Sequence, residues 1–543
     1  MATRLRTWPA LLRVPPFPGS SRVALQIPAR GKSAADFDPA GCIAALRRLK
    51  VGGSFWGPQP DLPNGGGVVV VGVDAATLAA GRERATRLGL PLVCCGRAGD
   101  GVACVPGDCD PWHLLGWAHE VVARAGDPLA VLAALAGVPV SAPGGEPAVV
   151  ADGAALEALA RRHLGGGWDF RDPFSDQAIP ALAAIELLGF WRGLIDANRR
   201  IGAVHGIAGW KRRTVAPLLW GGAGPVPFGA AAAPDEIVAF WRARTDPAVL
   251  AEIERSAAPR AEIEDGFIRS VGLGADCVPP LSIVVEPECP HYDPSGPSGL
   301  ERLLAGTGFS PTLVARAAAL RVRIVAGGVS KYAAGGAGVA RADRPGRHIL
   351  VTGQVEDDLS VLRGGGGITS NLDLVRRVRA CAPDAWIVYR PHPDVDAGHR
   401  RGHVDDCVML QVADAIARGG GIPAWIDAVD EVHVLTSLAG FEALLRGKPV
   451  TTHGVPFYAG WGLTTDLGAV PARRSTKRSL DELVAATLLV YPRYLDPLTA
   501  LPCPPEVLVE RIVAGVRPNN PLQRNPLLVT LRRAVGRARS LLR

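Results

Sequence analysis

Hydrophobic positions in this chain fall mostly in short unbroken runs and seldom alternate with polar ones. Gly67-Val68-Val69-Val70-Val71-Gly72 is such a run, and Ala75 to Leu88 follows it at helical spacing. Leu92-Val93-Cys94-Cys95 is a second run, and Pro128 to Val140 reads as a further helix and strand. Ile349-Leu350-Val351, Trp386-Ile387-Val388-Tyr389 and Val432-His433-Val434-Leu435 repeat the pattern downstream. Continuous apolar strands separated by helices mean parallel sheets covered on both faces. Helices are expected over Ala181–Asn198 and over Pro234–Arg244, the second opening on a proline that suits the first helical position.

The expected architecture is α/β, with two doubly wound Rossmann-type domains facing a cleft and a degenerate α/β region before them. Residues 1–40 read as a loosely ordered leader and 41–150 as the degenerate region. Residues 170–340 and 341–515 form the two domains, and 516–543 a basic tail. Asp127-Pro128-Leu129, then Leu135, Gly137 and Pro139-Val140, echo Ser437-Leu438, then Leu444, Gly447 and Pro449-Val450. This echo suggests an old duplication whose first copy has lost its polar residues.

Composition narrows the function classes. A hydrophobic content of 48% with 20% charged residues is globular, and a net charge of +7 suits an acidic partner such as a sugar nucleotide or phospholipid. The positive charge is not in blocks, and no zinc-finger or RNP-type motif occurs, so nucleic acid is not the expected partner. Ten cysteines with no C-x-x-C pair read as buried free thiols of a reducing cytosol, not as a metal site. No run of about 18 apolar residues appears, so no membrane span is expected. In the tail, Leu527, Leu528, Leu531, Val535, Ala538, Leu541 and Leu542 recur at helical spacing among five arginines. Such a helix suits the surface of an anionic leaflet.

Candidate chemistry gathers in loops after strand ends, where α/β proteins bind ligands. Glu264-Asp265-Gly266-Phe267-Ile268-Arg269 places two acids, a glycine and an arginine after a strand ending near Ile263. Gln354 to Ser360 carries Glu356-Asp357-Asp358, read as a solvated turn, a helix N-cap or a metal cluster lacking histidines. Arg390-Pro391-His392-Pro393-Asp394 fixes a histidine between two prolines, which suits a positioned ligand contact. Thr436-Ser437 opens the helix carrying Glu442, as an anion site or as an ordinary N-cap. His453 to Gly462 is an aromatic, glycine-rich loop. No Walker A or G-x-G-x-x-G motif is present, which argues against nucleoside triphosphatase and NAD readings.

Together these blocks resemble the KpsC-type capsule β-Kdo transferases. The matching blocks are His205 to Arg212, Glu264 to Asp276, Pro279 to Ser282, Ser330-Lys331-Tyr332, Gln354 to Ser360, Arg390 to Asp394, Leu435 to Thr464 and Tyr491 to Tyr494, spanning about residues 170–515. Full-length members resemble two such modules in tandem, of which this chain would keep one intact. The acid-acid-glycine and His-Pro pairs are also similar to those of bacterial sialyltransferases. Cys289-Pro290-His291-Tyr292-Asp293 departs from the family, which more often has a Gly-Ile-Tyr-Tyr-Asp-like stretch.

The resemblance implies a GT-B fold, CMP-β-Kdo as donor, no metal or other cofactor, and transfer with retention to a lipid-linked Kdo acceptor. It places the chain in the cytoplasm, peripheral to the inner membrane, beside a capsule biosynthesis and export complex. Asp358 is then the expected nucleophile, Asp265 the base and Glu264 its orienting neighbour. His392, Pro393, Thr436, Ser437, Gln354 and Glu442 are expected around the donor nucleotide, and Arg269 and Lys331 are candidates for the sugar carboxylate. A transferase for another nucleotide sugar, or a non-catalytic scaffold, are the competing readings.

Overall fold

A computed structural model describes residues 10–29, 37–72, 74–96, 102–124, 126–143, 151–272, 278–331, 338–398 and 400–516. The basic tail, Tyr332 and the Leu273-Gly274 turn lie outside the described residues. The chain divides into two compact units, residues 1–201 with 219–226, and residues 202–218 with 227 onward.

The first unit is built on a five-stranded parallel sheet. In spatial order its strands are Ala103–Val105, Leu92–Cys95, Gly67–Val71, Ala118–Val122 and Val140–Ser141. Val68, Val69, Val70, Val121 and Val122 are fully buried, as β-branched residues on a two-sided sheet should be. Asp74 caps the helix Ala75–Leu88 by accepting from the Thr77 amide, and Gly89 ends it at a φ of 65°. Ala118–Val122 escapes the sequence pattern because Glu120 interrupts it. That buried carboxylate is tolerated because the Arg84 guanidinium and the Ser141 hydroxyl bind it.

Two expectations are corrected here. Residues 10–29 are not a loose leader: Leu11, Leu12, Phe17 and Leu25 are buried, and Gln26–Pro28 pairs antiparallel with Trp168–Phe170. Their prolines break the periodicity that would have revealed the burial. The helix Ala181–Asn198 packs on Pro39–Leu49 and sends Arg192 to the carbonyls of Lys50 and Phe55 and to Asp110. It therefore belongs to the first unit, and the boundary read near 170 falls near 201.

The second unit holds two six-stranded sheets. One runs Ala415–Ile416, Trp386–Arg390, His348–Thr352, Glu431–Val434, Val450–Thr452 and Thr465–Asp466, all parallel. In chain order this is 3-2-1-4-5-6, the doubly wound dinucleotide-binding order, with its switch point between His348–Thr352 and Glu431–Val434. The first unit's sheet has the same order for its five strands. Pro128–Ala136 and Leu438–Leu445, the echoing helices, each connect the fourth and fifth strands of their own sheet. Asp127 and Ser437 cap them, and Gly137 and Gly447 close them at φ of 88° and 70°.

The other sheet is mixed. Ile237–Phe240 and Arg260–Asp265 are parallel, whereas Ser282–Glu286, Arg493–Leu495 and Pro502–Cys503 add antiparallel strands. A doubly wound domain was expected here. The difference arises because the stretch after residue 490 returns to this sheet instead of staying with the parallel one. The segment Pro234–Arg244 is a strand, Ile237–Phe240, followed by a single 3-10 turn, not a helix. Its Ile-Val-Ala-Phe run gains backbone partners on the neighbouring strand, which outweighs the helix-like proline start. Among the described residues no helix is long and apolar enough to cross a membrane. All described cysteines are free, but Cys104, Cys381 and Cys407 are exposed, so thiol burial holds only in part.

Candidate functional site

The switch point of the parallel sheet is held together by two residues that sequence reading gave to the ligand. The Gln354 carboxamide accepts from the Thr436 amide at 2.8 Å and donates to its hydroxyl at 2.9 Å. Both residues are buried, and Asn371 clamps the Gln354 backbone through two further bonds of 2.8 Å. Gln354 and Thr436 therefore join the two loops across the crevice, a structural role beside the donor contacts expected of them. Each of these bonds uses one of the two donors or one of the two acceptor positions of the carboxamide.

Three site residues are helix N-caps beside this joint. Asp358 caps Leu359–Gly364, its carboxylate accepting from the Ser360 amide at 3.0 Å and hydroxyl at 2.8 Å. Glu356 and Asp357 go elsewhere, to the Asn371 amide and to Arg400. Ser437 caps its helix through the Ala439 amide at 3.2 Å. His392 accepts from the Asp394 amide at Nδ1, 3.2 Å, and Pro393 is the exposed first residue of the short helix that follows. A ring nitrogen that accepts from a backbone amide carries no proton, so Nε2 holds the hydrogen and donates. Burial lowers the basicity of His392; Asp394 and Asp358 oppose this while Lys331 and Arg400 reinforce it. The ring thus lies within electrostatic reach of both Asp358 and Lys331.

Glu442 sits one turn into the Leu438–Leu445 helix with one oxygen on the Lys331 amide at 3.0 Å. Its other oxygen is buried without a hydrogen-bond partner, and burial pushes the carboxyl up to about 7. An acceptor left in this state is suited to a hydroxyl donor such as a ribose.

The remaining groups come from the C-terminal edge of the mixed sheet. Arg269 is 1% exposed and committed to protein: its Nε lies 2.8 Å from Asp265, and its other nitrogens bond Ser270 Oγ and the Val278 carbonyl. It is a structural ion pair and not a sugar-carboxylate ligand. Burial pushes the Asp265 carboxyl up, but Arg269 and then Lys211 and Lys331 outweigh it and hold it below the usual range. Glu264 is driven the other way, to about 8, by burial and by the charges of Asp265 and Glu262. The two adjacent carboxyls are thus shifted in opposite directions. Asp265 is the more readily ionised of the two, and the shift of Glu264 brings it toward neutral pH.

Lys331 connects the two sets. Its charge acts on Glu264, Asp265, Glu442, His392 and His291, and its amide and carbonyl bond Glu442 and Arg269 respectively. Nearby, Phe267 packs against Phe457 at 4.8 Å, His291 at 5.0 Å and Tyr491 at 6.3 Å, forming an aromatic wall. The loop His453 to Gly462 thus packs into protein, with Tyr458 and Trp461 fully buried. Among the described residues no group of three or more His, Cys, Asp or Glu side chains is arranged to hold a metal ion.

The family model described as "Capsule polysaccharide biosynthesis protein" matches residues 310–494. The capsule polysaccharide modification protein LipA of Neisseria meningitidis serogroup A is 44% identical over 252 residues, 46% of this chain and 36% of that protein. The lipopolysaccharide-processing protein LpsZ of Rhizobium meliloti is 44% identical over 244 residues, 44% of this chain and 55% of that protein. The chain thus spans only a third to about half of these relatives. A solved structure described as "Thermosulfurimonas dismutans KpsC, beta Kdo 2,4 transferase" is 28% identical with a TM-score of 0.50, covering 58% of this chain and 98% of that one. The chain carries a KpsC-type capsule synthesis module.

Within the KpsC-type module, Lys331, Asp358, His392, Ser437 and Glu442 fall inside the family match, whereas Lys211, Glu264 and Asp265 precede it. Sequence reading found most of these because acids, histidines and glycines concentrate after strand ends. It missed Asn371, which bonds only backbone, and Lys211, which is seated by a distant tryptophan. It flagged His291 only as a departure. That ring is neutral, its pKa driven to about 3 by burial and by Lys331, and its Nδ1 is buried without a hydrogen-bond partner.

Proposed function

We propose that this KpsC-type module is a glycosyltransferase of GT-B type that moves β-Kdo from CMP-β-Kdo to a lipid-linked Kdo acceptor in capsule biosynthesis. The observation that carries the reading is Lys331. One lysine is shared by two adjacent carboxylates on one sheet and by a histidine and a buried glutamate on the other. A donor with one phosphate, a ribose and an anionic keto sugar needs that combination of groups.

In this reading the Asp358 carboxylate attacks the anomeric carbon, and the bond to the phosphate oxygen breaks with its electron pair leaving on CMP. Glu264 then takes the proton of the acceptor hydroxyl, whose oxygen displaces Asp358, so two inversions give retention. His392 donates from Nε2 to the phosphate, with Ser437 at the adjacent helix start, and the open oxygen of Glu442 receives a ribose hydroxyl. Lys331 pairs with the sugar carboxylate. No metal is assigned a role. A lipid-linked acceptor brings the chain to the cytoplasmic face of the inner membrane, beside the capsule assembly and export machinery.

The test is incubation with CMP-Kdo and a synthetic lipid-linked Kdo acceptor. Acceptor-dependent CMP release with a Kdo-extended product is expected. Turnover of a UDP- or GDP-sugar instead would move the reading to another donor, and no turnover of any donor would favour a scaffold. His392→Ala should weaken CMP binding about tenfold, the worth of one hydrogen bond to a charged group. Only the cap of a four-residue helix is lost with it, so the melting temperature should hardly move. Unfolding of His392→Ala would make the histidine a core residue.

A further inference from the structure

Lys211 is a buried cation at the edge of this site that the proposed chemistry leaves unused. The strand Ile201–His205 ends in Gly206, at a φ of 74°, where a Cβ would lie 2.6 Å from the Trp241 carbonyl oxygen. Only glycine permits this turn, which starts the helix Gly209–Leu219 at the C-terminal edge of the sheet. Lys211 on its first turn is 7% exposed, with its ammonium 3.5 Å from the centre of the Trp241 ring and 5.5 Å from that of Trp210. Trp241 follows the strand Ile237–Phe240, and Glu264 and Asp265 end the adjacent parallel strand. Three neighbouring strands therefore deliver a buried cation, its aromatic seat and two carboxylates to one edge.

We infer that Lys211 is a positioning residue for the transfer: its ammonium, seated on Trp241, lets Glu264 and Asp265 be ionised together, the state in which Glu264 accepts a proton. This inference rests on the function proposed above. Two adjacent carboxylates resist joint ionisation, and Glu262 on the same strand adds to the repulsion at Glu264. The cations facing the pair are Arg269, which is spent on Asp265, then Lys331 and Lys211. Lys211 itself meets Asp265 and Glu264 as partners and Arg269 and Arg244 as repelling neighbours, and burial brings its pKa down to about 8. Opposite charges that act on each other have coupled titrations, so the pH profile belongs to the pair. Lys211 is too enclosed for a direct sugar contact. Its effect is exerted through Glu264.

The direct test is a carboxyl-carbon NMR titration of enzyme labelled at glutamate, with the Glu264 signal identified by its loss in Glu264→Gln. In Lys211→Met the Glu264 midpoint should rise by about one pH unit, the effect of removing one charge close by at low effective dielectric. Transfer at pH 7 should then fall about tenfold in kcat, with the KM for donor little changed. Lys211→Arg keeps its charge at every pH, so the alkaline fall of the activity profile should move up by at least about one unit. An unmoved Glu264 midpoint in Lys211→Met overturns the inference. If that variant does not fold, an alkaline limb unmoved in Lys211→Arg overturns it alone. The titration needs no donor, so a wild type inactive with CMP-Kdo would sink the proposed function while leaving the Lys211 result readable.

Discussion

Asp358→Asn should reduce transfer by roughly 10⁴-fold, the scale seen when a nucleophile is removed from a preorganised site. The fold should survive the change. Asparagine caps helices as well as aspartate does, and its amide oxygen can accept the same bond from the Ser360 amide. What is lost is the negative charge and the ability to form an ester. In the proposed reaction the same position serves capping and attack. Donor binding should persist, because the phosphate and ribose contacts proposed for His392 and Glu442 are untouched. Intact-mass spectrometry of wild-type enzyme quenched with donor and a slow acceptor should show one added Kdo on the peptide carrying Asp358. An adduct on Asp265 would reassign the nucleophile, and no adduct under any trapping condition would favour a front-face displacement.

Arg269→Met should cost about 3 kcal/mol of stability, whereas Lys331→Met should chiefly weaken donor binding. Removing Arg269 leaves Asp265 beside Glu264 without its main counter-charge and strands the Val278 carbonyl. Breaking a buried pair by taking one partner is among the larger single-residue losses. Lys331 places its charge where several ionisable groups sense it, and its main-chain bonds to Glu442 and Arg269 do not depend on the side chain. Denaturant melts and CMP-Kdo titration of the two variants should thus separate cleanly. A stable Arg269→Met with poor donor affinity would restore the sugar-carboxylate role that the ion pair argues against.

The parallel sheets were legible because continuous runs such as Val68 to Val71 and Ile349 to Val351 have few ways to be buried. Misreadings came where long-range partners decide the outcome. Ile237–Phe240 follows a helix-like proline start but is claimed by the strand beside it, and Glu120 hides a central strand because Arg84 lies far off in sequence. The return of Arg493–Leu495 to the mixed sheet has no local signal at all. In the candidate site, residue types pointed to loops after strand ends but not to the hydrogen bonds those residues make. Gln354 and Thr436 satisfy each other from positions 82 residues apart, and no pattern within either loop foretells it. Glu264 and Asp265 are adjacent and chemically alike, and Arg269 committed to one of them is enough to split their roles.

The joint at Lys331 has a consequence for how this protein can change over generations. The bonds that tie its segment to the helix Leu438–Leu445 and to the loop after Arg260–Asp265 run through its peptide amide and carbonyl, which every residue except proline supplies equally. Drift at the codon therefore leaves these main-chain bonds intact, and selection at this position acts through the side chain. Recognition of a new sugar can be tried there without first risking the architecture.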